Sequence, residues 1–160
     1  MRTVDLADCP QIGAIWNPII RDTLVTFNSV EKSDQDIADM ITERISKGHG
    51  FFVAVENDCL LGFATYAQFR GGAGYARTME HTIILSDSAR GRGIGTQLMH
   101  RLLAHAKKGG AISMFAGVSA ANPAGVAFHA ALGFSQVATL EKVGCKFDAA
   151  IDLVLMQKFL

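Results

Sequence analysis

A glycine-rich run, Arg90-Gly91-Arg92-Gly93-Ile94-Gly95-Thr96, constrains this chain more than any other stretch. Before it stands an apolar segment, Thr82-Ile83-Ile84-Leu85, which reads as the end of a buried strand. After it Leu98, Leu102 and His105-Ala106 recur at helical spacing, with Met99 and Leu103 alongside. The order is strand, glycine loop, helix. A loop that opens a helix leaves several backbone N–H groups without intrahelical partners. The helix dipole adds partial positive charge at the same place. Gly91, Gly93 and Gly95 remove side chains that would hold a ligand away, and Arg90 and Arg92 add fixed charge. The run therefore predicts an anion site, for a phosphate or pyrophosphate. Its spacing is neither the dinucleotide G-x-G-x-x-G nor the P-loop G-x-x-x-x-G-K-[ST].

At 160 residues the chain has room for one domain with a substantial core, spanning 1–160. Fifteen basic and fifteen acidic residues cancel, so no basic surface for nucleic acid is expected. No apolar run is long enough to span a bilayer, and Met1-Arg2-Thr3-Val4-Asp5 does not begin a secretory signal. Cys9, Cys59 and Cys145 are scattered and odd in number, which suggests reduced thiols in a cytoplasmic protein. His49, His100 and His105 lack metal-ligand spacing, so no metal site is expected.

A first strand is predicted over Arg2–Leu6, then a helix capped by Asp8 carrying Ile12, Ile15, Trp16 and Ile19. Pro18 predicts a kink or stop near Asn17. Residues 22–30 read as a loop, in which Phe27 either lines a pocket or plugs the core. Ser33 and Asp36 form a capping box for a helix bearing Ile37, Met40, Ile41 and Ile45, ending near Gly48. Phe51–Val55 and Leu60–Tyr66 form a hairpin, with Gly62 marking a bulge or a close backbone approach. An exposed glycine-rich loop follows at 69–74, then a strand over Arg77–Leu85. Beyond the glycine loop and its helix come a strand at Ile112–Val118 and a helix opened by Asn122-Pro123. Two antiparallel strands, 135–142 and 147–157, close the chain through Val143-Gly144-Cys145-Lys146. The expected class is α/β, with one central sheet covered by helices.

Asn122-Pro123-Ala124-Gly125-Val126-Ala127-Phe128-His129-Ala130-Ala131-Leu132-Gly133-Phe134 is the second motif. With the Arg-x-x-Gly-x-Gly spacing of the first, it resembles the two coenzyme A motifs of the GNAT N-acetyltransferase superfamily. Tyr75–Thr82 and Val143–Phe147 further resemble the phosphinothricin and methionine sulfoximine N-acetyltransferases. The resemblance implies the GNAT fold, a mixed and mostly antiparallel sheet flanked by helices. It implies acetyl-CoA as cosubstrate, a small-molecule amine as acceptor, and a homodimer. By the same resemblance Arg90, Gly91, Arg92, Gly93, Ile94, Gly95 and Thr96 would hold the pyrophosphate. The backbone of Ile83, Ile84 and Leu85 would pair with the pantetheine arm, Asn122 would bond it further along, and His129 would lie beside it. Glu80, His81 and Thr82 would meet the substrate, and Arg70 would bind a carboxylate. Gly71 and Gly72 stand where relatives carry bulky residues, which would widen the pocket. Ala149-Ala150 and Gly125 also depart from the subfamily pattern.

The expected chemistry is acetyl transfer to an α-amino group. Such a group has a pKa near 8, so roughly one molecule in ten is neutral at about pH 7, a cost of about 1.4 kcal/mol. A small amino acid thus asks little of a base. Glu80 is the candidate base, directly or through water, if burial raises its pKa. Its plainer reading is an outward strand carboxylate. His129 is a candidate acid for the leaving thiolate, or simply a packed residue. Glu80 and His81 alternate along one strand and must face opposite sides. A strand N–H near Ile83 would polarise the carbonyl. Two other functions remain open at this stage, acetylation of peptide N-termini and acyl-CoA binding without turnover.

Overall fold

The computed structural model describes residues 1–160. Seven strands form one sheet in the order β1-β2-β3-β4-β5-β7-β6. They are β1 (Arg2–Thr3), β2 (Phe51–Glu56), β3 (Cys59–Gln68), β4 (Thr78–Leu85), β5 (Ser113–Ser119), β6 (Ser135–Lys146) and β7 (Ala149–Phe159). Only β4 and β5 run parallel, as expected for two strands joined by a crossover helix. The helices are α1 (Cys9–Asp22), α2 (Asp34–Ser46), α3 (Ile94–Lys108) and α4 (Pro123–Ala131). The expected α/β architecture is the one observed.

Side chains alternate across the sheet and build two cores. On one face Ile12, Trp16 and Ile20 of α1 and Ile37 and Ile41 of α2 pack on Phe51, Val53, Phe63 and Ile84. On the other, Leu98, Met99, Leu102 and Ala106 of α3 pack on Phe52, Ala64, Met114 and Met156. The Ser33/Asp36 capping box forms as predicted, and Gly48 leaves α2 with a φ of +71°.

Several expectations need correction. The first strand ends at Thr3, because Leu6–Asp8 coils into a 3-10 turn capped by Asp5. Asp8 makes no side-chain cap to α1. Its buried carboxylate instead binds Arg2 in a fork at 2.6 and 2.7 Å and accepts the Asp5 N–H. α1 does not stop near Asn17 but runs through Pro18 to Asp22. The proline's cost is offset because Ile20, two residues on, is fully buried. Ile45, placed with the apolar stripe of α2, is exposed. The final connection is not Val143–Lys146, since Gly144, Cys145 and Lys146 pair with Ile151, Ala150 and Ala149. The turn is Phe147-Asp148, both at positive φ, which suits a two-residue hairpin.

Gly62 combines both features expected of it. The ladder slips between Ala54 and Val55, skipping Leu61, and a Cβ at Gly62 would lie 2.6 Å from Leu85 Cδ2 and 2.8 Å from the Ile84 carbonyl. That carbonyl is backbone and cannot swing away. Gly62→Ala is expected to destabilise the protein by about 1–3 kcal/mol. Urea denaturation of the two proteins checks this.

Candidate active site

β4 pairs with β5 only at Thr78, Met79 and Glu80, opposite Ser113, Met114 and Phe115. Beyond Glu80 the two strands part. Their facing edges open a cavity of about 980 Å³ lined by Thr82–Leu85 on one side and Ala116–Val118 on the other. The glycine loop and the start of α3 close one end, and Asn122, Phe128 and His129 of the second motif flank it.

The loop presents most of the groups that the sequence put forward for an anion. The N–H groups of Gly91, Gly93, Ile94, Gly95 and Thr96 donate to no protein acceptor, the first helical bond running from Gln97 N to Gly93 O. All five residues line the cavity. Gly91 and Gly93 are required by their φ of +70° and +72°. Gly95 is required by crowding, since its Cβ would sit 2.9 Å from Leu85 and 3.2 Å from Phe128. Arg90 reaches the cavity. Arg92, expected there, instead binds both carboxylate oxygens of Glu56 at 2.7 and 2.9 Å and braces the loop from outside.

Glu80 stands at the fork of the two strands, half-buried, and burial raises its carboxyl above the usual carboxylate range. Its side chain lies beside Gly117, where an added Cβ would come within 3.0 Å of Oε1. His81 faces the other way, as the alternation requires, and is buried against His129 with Nε2 to Nε2 at 3.1 Å. His129 Nδ1 lies 2.6 Å from the Gly125 carbonyl, so Nδ1 carries the proton and donates it. Burial pushes both imidazoles down, His81 to about 3. The pair is therefore neutral, with His81 donating to an unprotonated His129 Nε2. A thiolate acid would need a proton at that nitrogen.

Asn122 lines the cavity while its Oδ1 caps α4 by accepting the Gly125 N–H at 3.0 Å. Thr82 lines the cavity; Phe27 does not. Phe27 packs against Gly144 beside an adjoining 270 Å³ hollow that shares Glu80. Arg70, Gly71 and Gly72 are exposed and lie outside the main cavity. Reasoning from sequence missed Arg44 and the lining role of Trp16. Arg44 carried a signal, because it continues the Ile37 and Ile41 stripe at i+7, where an apolar residue belongs.

The acetyltransferase (GNAT) family model matches residues 16–134. The chain belongs to that family. The L-methionine sulfoximine/L-methionine sulfone acetyltransferase of Salmonella typhimurium is 31% identical over 98% of this chain and 92% of its own. The phosphinothricin N-acetyltransferase of Alcaligenes faecalis is 32% identical over 99% of this chain and 81% of its own. The Salmonella typhimurium putative acetyltransferase yncA, solved with its cofactor acetyl-CoA, superposes at a TM-score of 0.95 with 31% identity, covering 99% and 92% of the two chains. The parted strands and free loop N–H groups of this GNAT protein fit such a molecule.

The neutral pair has a consequence for stability. An unfolded imidazole takes a proton near pH 6.5, whereas the folded His81 resists it until about 3. Stability is thus full above the unfolded value and falls as pH drops below it. His81→Asn should flatten that fall by up to about 1.4 kcal/mol per pH unit. Chemical denaturation at a series of pH values measures the slope.

Proposed function

We propose that this protein acetylates the α-amino group of a small amino acid or analogue of the methionine sulfone, methionine sulfoximine or phosphinothricin type. The donor is acetyl-CoA, and transfer is direct within a ternary complex. The observation that carries this reading is Glu80, a half-buried carboxylate at the point where β4 leaves β5. The named activities of relatives about 30% identical over nearly the whole chain support it.

When bound, acetyl-CoA supplies the acetyl group as a reactive thioester. The N–H groups of Gly91, Gly93, Ile94, Gly95 and Thr96 bind its pyrophosphate, helped by Arg90 and the α3 dipole. The open edge of Ile83–Leu85 receives the pantetheine arm as a strand would be received, and Asn122 flanks it. A strand N–H near Ile83 polarises the carbonyl. Glu80 draws in the ammonium and takes its proton, directly or through water. In the neutral pair His129 forms a wall of the groove and His81 fixes its ring.

The protein acts as a homodimer in this reading. Val137, Leu140 and Val143 are exposed along the edge strand β6, an apolar surface of the kind a second copy covers. Its three free cysteines agree with a cytoplasmic setting.

The test is acetyl-CoA-dependent thiol release over methionine sulfone, methionine sulfoximine, phosphinothricin, common amino acids and a peptide. Turnover on a small amino acid, cut at least about 100-fold in Glu80→Gln, is expected for loss of a general base. Silence on the amino acids with turnover on the peptide sinks the reading. In the wild type kcat/KM should rise with pH through the raised Glu80 value, since only the carboxylate accepts a proton. That acid limb should vanish in Glu80→Gln. The variant should also be no less stable at neutral pH, because ionised Glu80 is the form that burial penalises.

A further inference from the structure

Glu56 belongs to neither motif and lines neither cavity, yet it is tied to the glycine loop. It ends β2, just before Asn57-Asp58, where both residues take positive φ as a two-residue hairpin turn requires. That turn is fixed a second time. The Gln11 side chain of α1 donates to the Asp58 carbonyl at 3.2 Å and accepts the Leu60 N–H at 2.8 Å. Glu56 is therefore a firm point outside the loop.

Arg92 reaches that point. Its Nη2 bonds both Glu56 oxygens at 2.7 and 2.9 Å, and its Nη1 donates to the Ser88 carbonyl at 3.3 Å. One guanidinium thus joins the β2–β3 hairpin, the 3-10 turn at Asp87–Ala89 and the loop itself. The other side-chain bonds of residues 87–93 stay within 86–93. Arg90 pairs with Asp87 at 3.1 Å, and the Ser88 hydroxyl lies 2.9 Å from that of Ser86.

The loop needs such a hold. Arg92 stands between Gly91 and Gly93, whose φ values are +70° and +72°. Glycine has the widest choice of backbone conformations and loses the most freedom when it is fixed. The N–H groups of Gly91 and Gly93 make no bond in the protein that would fix them. The bond between them, Arg92 N to Ala89 O, is long at 3.4 Å. An anion held by several backbone N–H groups binds best when they are aligned before it arrives.

The charge on Glu56 separates shape from electrostatics. A carboxylate near an anion site repels the anion, and one that occupies a loop arginine also removes attraction. Charge alone thus counts against Glu56, whereas alignment of the loop accounts for it. The pair is half-exposed, 41% at Arg92 and 50% at Glu56, so it adds little to the stability of the whole fold.

We propose that Glu56 is a positioning residue for acetyl-CoA, acting through Arg92 to hold the glycine loop in the shape that takes the pyrophosphate. The proposal rests on the reading of the loop as the pyrophosphate site and is independent of which amine is acetylated.

Calorimetric titration of the wild type, Glu56→Gln, Arg92→Gln and the double variant tests it. The ligands are acetyl-CoA and S-acetylpantetheine, which has the arm and the thioester but no pyrophosphate. Glu56→Gln should weaken acetyl-CoA binding about 3- to 10-fold. Arg92→Gln should weaken it at least as much, and the double variant no more than Arg92→Gln alone, because the two residues act as one unit. S-acetylpantetheine should bind all four proteins alike, which a general loss of structure would not allow. If Glu56→Gln binds acetyl-CoA as well as the wild type or better, charge governs the loop and the proposal is overturned. Additive losses in the double variant, or equal losses on the two ligands, overturn it as well. If the wild type holds acetyl-CoA no more tightly than S-acetylpantetheine, the pyrophosphate reading of the loop fails and the role of Glu56 falls with it.

Discussion

The parting of β4 from β5 is the constraint on which the rest of this molecule depends. A strand edge in a protein interior carries a row of N–H and C=O groups that need partners. Here the ladder supplies them through Glu80 and then stops, leaving Thr82–Leu85 and Ala116–Val118 facing across a cavity. The glycine loop sits where the parted strand ends, so its free N–H groups lie at the mouth of the same groove. One interruption in a sheet thus joins an anion site, an extended docking edge and a half-buried carboxylate.

The two cores divide the work. Alternation along β4 sends Glu80 toward the α1/α2 layer and His81 toward α4. Trp16 and Arg44 meet the cavity from the first layer, while Phe128 and His129 meet it from the second. The His81–His129 pair shows how a reactive residue type can be held in a structural role. Burial and the Gly125 carbonyl fix one tautomer, and the ring becomes a neutral wall. Arg92 is similar, its charge directed at Glu56 rather than at the groove.

Most of the fold was legible because its signals are local. The capping box at Ser33, the hairpin at Glu56–Asp58 and the helix opened by Pro123 each depend on neighbouring residues alone. Misreadings arose where a distant contact overrode a local rule. Pro18 sits inside a helix because burial of Ile20 outweighs it. Asp8 gives up its cap to pair with Arg2. Val143–Lys146 continues a strand because β7 offers partners across the ladder.

By itself the sequence determined the family, the glycine loop and the strand and helix that flank it. These rest on spacing, and backbone conformation at Gly91 and Gly93 follows from residue type. Tertiary structure alone decided which side chains share the cavity. Arg44 and Arg70 look alike as letters, and Arg90 and Arg92 are two positions apart in one motif. Packing leaves Arg44 and Arg90 at the cavity and directs Arg70 and Arg92 away from it. Side-chain destination depends on burial and on partners brought together from far along the chain, and no local pattern encodes either.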